Sequence, residues 1–234
     1  GGVSAVDDQP QLLSYKSVYG TMELSVNYEY NSERKVSKIT WERSTPHVTQ
    51  GSDVFIYEGG KLKEQVRSIT GLVDEKTIYT WDKDVIFASS TYIGTKKIGF
   101  AFYDYNQSNQ LEAVEFYERE GDVGFLRTDS IGLTYHPDGN LFKMFKYGYD
   151  YNEQLLILIS TQTFSEYLPS PNPVATVELL PIVNLQRRLP KTYVVADTGS
   201  SISYSIEYNL RSDGYPNDRT VVSPSGSEKT VYTY

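Results

Sequence analysis

Proton transfer near neutral pH has few candidates in this chain, because its 234 residues hold only two histidines, His47 and His136. His136 opens the turn sequence His136-Pro137-Asp138-Gly139, and His47 follows Pro46 in a polar stretch. Neither has a partner histidine at helical or strand spacing, and no G-x-S-x-G phrase supplies a nucleophile. There is no cysteine, which removes disulfides and thiolate metal sites together. Carboxylates are plentiful, and a pair drawn from Glu42, Glu64, Glu112 and Glu115 is the arrangement a glycoside hydrolase would use. These four alternate with apolar neighbours, as the wet face of a sheet does. Asp82 with Asp84, or Asp213 with Asn217 and Asp218, offers oxygen ligands of the kind calcium takes. Their spacing is that of hairpin turns, and no glycine-rich phosphate loop accompanies them. The residues therefore point to a non-enzymatic protein without a metal or cofactor.

Aromatic side chains are the remaining functional resource: 21 tyrosines, nine phenylalanines and two tryptophans. Most are required as core, since tyrosine packs its ring while its hydroxyl reaches a polar partner. The stretch Tyr147-Gly148-Tyr149-Asp150-Tyr151 stands apart, with three tyrosines on one face of a strand and a glycine on the other. Tyr147, Tyr149 and Tyr151, together with Trp41 and Trp81, are the candidate binding residues, suited to stacking on a sugar or lining an apolar groove.

The elements that would hold them are written as a repeated phrase. Two aromatic or apolar residues flank one position, a short polar turn follows, and an alternating strand returns. Tyr28-Glu29-Tyr30, Phe55-Ile56-Tyr57, Tyr79-Thr80-Trp81, Tyr103-Asp104-Tyr105, Leu133-Thr134-Tyr135 and Ile206-Glu207-Tyr208 are copies, and Tyr232-Thr233-Tyr234 ends the chain on an unfinished one. Steps between the second aromatics are 27, 24, 24, 30, 73 and 26 residues. Each ordinary step has room for two strands and two turns, so each copy is one hairpin. Within Val36–Trp41 the apolar spacing slips by one, which predicts a bulge.

Glu58-Gly59-Gly60-Lys61 and Ser212-Asp213-Gly214 carry turn chemistry at one edge. The opposite edge, for example 44–53 and 118–129, reads as longer variable loops, the favoured place for specificity. Residues 152–200 break the rhythm with a five-residue apolar run, Leu155–Ile159, and a Pro169-Ser170-Pro171-Asn172-Pro173 excursion. They read as an insertion covering one face, with a short helix near 162–167 or 181–186. Residues 1–14 read as a flexible segment and 15–234 as one domain.

The expected fold is all-β: an antiparallel hairpin meander of 12 to 14 strands curled into a half-open barrel or wrapped sheet, with a two-sheet sandwich as the alternative. A formal net charge of -8 argues against a nucleic-acid partner and against an anionic membrane surface. No apolar window approaches the ~20 residues of a helical membrane span. The start, Gly1-Gly2-Val3-Ser4, has no charged and apolar leader, which reads as a trimmed start.

The phrase resembles the YD-type repeats of RHS-like proteins, most closely in TYHPDGNLFKM (134–144) and EYNLRSDGYPNDRTV (207–221). Over about 24–234 the layout is similar to a family of secreted Bacteroidetes lipoproteins of unknown function, in which such hairpins are interrupted by a Pro/Asn-rich stretch and closed by a terminal YxY. The aspartate that strict YD repeats place after the second aromatic occurs only at Asp82. The resemblance implies lipid anchoring at a cysteine upstream of residue 1 and a periplasmic or outer-membrane surface location. The function expected is that of a monomeric envelope binding or scaffold lipoprotein recognising a glycan or protein through variable loops. A carrier of an apolar ligand and a carboxylate-dependent glycoside hydrolase are the alternatives.

Overall fold

A computed structural model describes residues 10–45, 47–121, 124–174, 180–181 and 185–234. Its strands are β1 (Ser14–Tyr19), β2 (Met22–Tyr30), β3 (Val36–Thr45), β4 (His47–Glu58), β5 (Lys61–Ile69) and β6 (Glu75–Asp82). Then come β7 (Val85–Ile93), β8 (Lys96–Tyr105), β9 (Leu111–Glu120), β10 (Gly124–Tyr135) and β11 (Leu141–Asp150). The last five are β12 (Leu155–Pro171), β13 (Arg188–Ala196), β14 (Ser201–Leu210), β15 (Pro216–Ser223) and β16 (Gly226–Thr233). Every strand pairs antiparallel with its neighbours in sequence, and β1 pairs with β16, so the meander closes into a barrel. Closure leaves no unpaired edge. The all-β antiparallel hairpin meander curled into a barrel is as expected, and not the alternative sandwich; the barrel is closed where a half-open one was expected, with 16 strands in place of 12 to 14.

Alternation sets the two faces. On β2, Val26 and Tyr28 point into the barrel at 6% and 5% exposure, while Asn27 and Glu29 face out. Outward positions of β2, β3 and β14 are almost wholly polar: Ser25, Asn27 and Glu29; Lys38, Thr40 and Glu42; Ser203, Ser205 and Glu207. The interior is apolar, with Leu12, Val114 and Leu141 fully buried and Leu62 and Ile86 nearly so.

The repeated aromatic has a single structural job. At one end of the barrel the Tyr30 hydroxyl donates to Leu12 O at 2.5 Å, Tyr57 to Val36 O at 2.7 Å, and the Trp81 indole N–H to Leu62 O at 2.7 Å. Tyr105 donates to Ile86 O at 2.9 Å, Tyr135 to Leu111 O and Tyr167 to Leu141 O at 2.6 Å, Tyr208 to Pro190 O at 2.8 Å, and Tyr234 to Pro216 O at 3.0 Å. Each bond ties one hairpin to the one before it, and the two chain ends form the last link. A bulge creates the need. The register shifts just before Tyr30, Tyr57, Trp81, Tyr105 and Tyr135, with Ser37, Lys63, Phe87, Glu112 and Phe142 as the extra residues. A bulge takes backbone groups off the ladder, and a buried carbonyl without a donor is costly. The next hairpin's aromatic supplies that donor. The slip predicted in Val36–Trp41 is the first of these bulges.

Four turns at this end are built alike. In 31–35, 106–110, 136–140 and 211–215 the first residue's N–H bonds the fifth's carbonyl, and the fourth residue's N–H bonds the first's carbonyl. The fourth residue lies in the left-handed region: Arg34 at φ 61°, Asn109 at 61°, Gly139 at 85° and Gly214 at 87°.

The 73-residue gap contains one more anchor, Tyr167, so it is two steps. The insertion expected over 152–200 is accordingly narrower. Residues 155–171 and 188–196 are barrel strands, 162–167 is strand and not helix, and of the stretch between them 172–174, 180–181 and 185–187 are described and lie outside the strands. The helix proposed at 181–186 falls partly outside the described residues. This segment does not cover an outer face: Pro173 is fully buried, Val174 packs on the core beside β1–β3, and Leu180 and Leu185 pack on the core inside β5–β12. Its described apolar residues thus face the interior at the ring end. At the other end, the mouth, no connection exceeds five residues, so the variable loops expected there are mostly strand. Residues 1–9 of the expected flexible segment lie outside the described residues, whereas Leu12 is fully buried and Leu13 bonds Thr233 and Tyr28 through its backbone.

Replacing Tyr57 by Phe keeps the ring and strands the Val36 carbonyl; urea unfolding is expected to show a loss of about 1–3 kcal/mol. Burial pushes the Tyr30, Tyr57, Tyr105 and Tyr135 hydroxyls up to about 12. The unfolded chain ionises near 10, so these tyrosines stabilise the fold fully below pH 10, and their contribution is lost as pH rises from 10 towards 12. Urea midpoints measured at pH 9, 10 and 11 are expected to hold and then fall, with a shallower fall in Tyr57→Phe. Arg34→Gly removes left-handed strain at an exposed turn and is expected to raise stability by about 0.5–1 kcal/mol, with Gly139→Ala acting in the opposite sense.

Candidate functional site

Two cavities open at the mouth of the barrel. The smaller, of about 350 Å³, lies against β1, β2, β15 and β16, and the larger, of about 590 Å³, against β6–β9. Both fall within the range of ligand pockets.

The smaller cavity is built around an arginine. Arg219 occupies an inward position of β15, in phase with buried Val221, which puts its guanidinium among Tyr15, Tyr208 and Tyr232. Its Nε–H donates to Thr230 Oγ1 at 3.3 Å, and Nη2 stands 3.6 Å from Glu228 Oε1. Glu228 Oε1 accepts a hydrogen bond from Ser17 Oγ at 3.1 Å, and Ser17 and Thr230 hydroxyls share a further bond at 2.5 Å. Burial disfavours the charge on Arg219, but Tyr232, Tyr208 and Glu228 around it raise its pKa on balance. Arg43 and Glu23 lie at the rim, and Asn172 and Val174 of the segment after β12 also line the cavity.

The larger cavity has a mixed wall: the hydroxyls of Thr77, Tyr79, Ser89, Thr91 and Tyr103, apolar Ile98, Phe100, Ala101 and Phe116, and the charges of Glu75, Lys96 and Glu118. Behind it runs a buried polar chain. Tyr79 donates to Gln65 Oε1 at 2.6 Å, Gln65 Nε2 donates to Asp53 Oδ1 at 2.7 Å, and Arg67 Nε donates to the same oxygen at 2.8 Å. Asp53 is only 5% exposed, so its charge is held by these two donors. Burial drives the Tyr79 pKa up.

The five aromatic candidates do not meet. Tyr147, Tyr149 and Tyr151 are on the outer wall, where Tyr149 and Tyr151 pack edge to face at 5.0 Å and Tyr147 and Tyr149 pair across to Leu158 and Leu156. Gly148 faces inward, where a Cβ would run into Ile159. Trp41 faces the lumen and lies over Gly51, and Trp81 is a member of the hydrogen-bonded ring. A separate outer cluster joins Phe100, stacked on Tyr117 at 4.6 Å, to Phe102 and Phe125. The carboxylates expected for hydrolysis miss both cavities: Glu115 pairs with Arg127 at 2.9 Å on the outer wall, Glu64 lies 3.6 Å from Lys76, and Glu42 and Glu112 are also outside them. His136 Nε2 bonds Phe164 O at 2.9 Å within the ring-end packing, and the His47 side chain lies outside the described residues. Among the described residues no group of three or more His, Asp or Glu could hold a metal. Sequence reasoning missed Arg219; the available signal was a charged residue in phase with the inward Val221 of a strand whose other face is polar.

No family model matches the sequence, and no curated protein is similar to it. Among solved structures the chain is similar to a porin-like protein from Bacteroides uniformis, at 13% identity over 94% of this chain and 95% of that one, with a TM-score of 0.64. A porin-like protein from Bacteroides vulgatus aligns over 97% and 99% at 17% identity with a TM-score of 0.45. At such identity the likeness to the first is one of fold.

The interior fit gives a direct check. A Cβ at Gly51 would stand 2.6 Å from Ser68 O and 2.8 Å from Trp41 Cε2, whereas one at Gly132 would have Phe145 at 3.8 Å. Gly51→Ala is expected to cost about 1–3 kcal/mol in denaturant unfolding by overpacking, and Gly132→Ala less than half as much.

Proposed function

We propose that this chain is a non-enzymatic protein of the bacterial cell envelope that folds in water and binds a small glycan-like ligand in the mouth of its barrel. One observation carries the reading. The lumen is packed as a core, with Val174, Leu180 and Leu185 filling it near the ring end, while cavities of mixed polar and apolar lining open at the mouth, which favours a receptacle over a conduit. The outer wall supports a location in water. A membrane-spanning barrel turns an apolar band about 25 Å tall outward and keeps its interior polar, and a charge at mid-membrane costs about 2–4 kcal/mol. Here the outer wall is mixed: ion pairs such as Lys38 near Glu29, Lys76 near Glu64 and Arg127 on Glu115 lie on it beside exposed Val54, Ile56, Phe102 and Phe125, while the interior at the ring end is an apolar core.

Recognition in this reading belongs to the luminal mouth and not to variable loops. The lining sets hydroxyls and charges beside apolar Met22, Leu24, Ile98 and Phe116, a mixture that matches the hydroxyl edge and the apolar ring face of a sugar. Likeness of fold to Bacteroides porin-like proteins and the resemblance to Bacteroidetes lipoproteins both support an envelope location, with a lipid attached upstream of residue 1 as the means of anchoring and the YD-like hairpin as the unit of the wall.

Two measurements test this reading. The protein is expected to stay monodisperse without detergent and to produce no conductance steps in a planar bilayer. A thermal-shift screen of neutral and acidic mono- and disaccharides is expected to raise the melting temperature with at least one class. Porin-sized conductance steps, or a flat response to every saccharide, would overturn the reading.

A further inference from the structure

We propose that the smaller cavity is a subsite for the carboxylate of an acidic sugar, a hexuronate, with Arg219 as the residue that receives it; this deepens the luminal-binding reading above and rests on it. The charge balance inside the cavity argues for an anion. Arg219 and Arg43 both line it, and Arg43 makes no ion pair among the described residues. Of the two carboxylates nearby, Glu23 is engaged by Lys16 at 2.7 Å on the outer side. Glu228 is thus the one acid that answers two arginines, and Ser17 and Thr230 already draw on the same oxygen that faces Arg219. At 3.6 Å that oxygen lies beyond hydrogen-bond distance of Nη2, whereas the Nε–H has Thr230 as its acceptor. The outer edge of the fork has donors to give in a half-dry site, and an arginine fork matches a planar carboxylate with two parallel bonds.

The rest of the lining argues for a sugar as the bearer of that carboxylate. Tyr15, Tyr19 and Tyr232 bring aromatic rings to the lining, and Asn172 brings an amide. A volume of about 350 Å³ admits one sugar ring and not a chain of them. A neutral hexose would leave the guanidinium unanswered, and a long acyl chain would meet hydroxyls.

The test uses isothermal titration of the whole chain with D-galacturonate, D-glucuronate, D-galactose and sodium sulfate at low salt. One of the uronates is expected to bind at least tenfold more tightly than galactose, and to weaken as salt is raised. Arg219→Gln is expected to lose tenfold or more of that affinity, Arg219→Lys to lose part of it, and Arg127→Gln, on the outer wall, to lose none. Because removing a buried arginine can unsettle the wall, a second measurement leaves the chain unaltered: the side-chain Nε–H resonance of Arg219 is expected to shift in a ¹⁵N spectrum on adding uronate and to stay put with galactose. If galactose binds as well as either uronate, or if the Arg219 resonance is unmoved at saturation, the subsite is wrong while luminal binding stands. Sulfate binding as tightly as the uronates would likewise overturn the sugar-carboxylate assignment. No binding by any saccharide would remove the luminal reading with it.

Discussion

The hydrogen bond from a strand-end aromatic to the carbonyl of the preceding hairpin is the constraint on which the rest of this barrel depends. A sheet of 16 strands has no inherent reason to close at a given circumference, since neighbouring strands fix only local twist. Here each hairpin is stitched to the last by a side chain of fixed length, from Tyr30 on Leu12 round to Tyr234 on Pro216. The first bond needs residues just before β1 and the last needs the final residue of the chain. Closure is therefore completed by the two termini, and the β1–β16 pairing has the same side-chain support as every interior junction.

That ring also explains how a small chain fills a wide barrel. Barrels of 16 to 18 strands leave an aqueous channel when their walls alone define the lumen. In this chain the bulge at each anchor turns a Val, Leu or Ile inward beside the aromatic, and Val36, Leu62, Ile86, Leu111 and Leu141 form a buried layer at one level. The segment 172–187 adds Val174, Leu180 and Leu185 to that layer from the ring end. A cavity of about 260 Å³ remains beside the ring at Trp81, Tyr105 and Tyr135, and larger spaces remain at the mouth, where inward positions include Ser17, Thr77, Thr91, Glu228 and Arg219. This change from dry ring to wetter mouth is clearest on β1, β6, β7, β15 and β16, whereas β12 and β14 keep Ile157, Ile159 and Ile202 near the mouth.

Polar groups inside are handled in two ways along this gradient. Near the larger cavity Asp53 is satisfied by Gln65 and Arg67, and Tyr79 completes the chain, so the network stiffens the wall and has little left to offer a ligand. Around Arg219 satisfaction is partial. A hydroxyl takes one donor, a carboxylate stands slightly too far for a second, and the others face the cavity. The difference separates a structural network from a group with binding capacity, although both present arginine and carboxylate to the same lumen.

Much of the wall was legible in residue order. Alternation around Val26–Tyr30, the glycine turns and the recurring Tyr-x-Tyr named the hairpins and their period, because period-two patterning and left-handed turn positions are local properties of the chain. The slip after Val36 even disclosed the bulge. Strand number was misjudged because Tyr167 lacks the flanking aromatic of its relatives, and its hydrogen bond to Leu141 is visible only in three dimensions. The site was less legible still. Tyr149 and Trp41 look equivalent as aromatics on strands, yet one lies on the outer wall and the other over Gly51 in the lumen, since inside and outside are assigned by closure. Arg219 sits among polar residues in the sequence, and only the barrel brings Tyr15, Ser17 and Glu228 around it from more than 200 positions away at one end and the neighbouring strand at the other. By itself the sequence determined that the chain pairs with itself as successive hairpins anchored by aromatics. Tertiary structure decided where the circle closes, which face is interior, and which charge is left without a full set of partners, because each of these depends on contacts between residues that local pattern cannot relate.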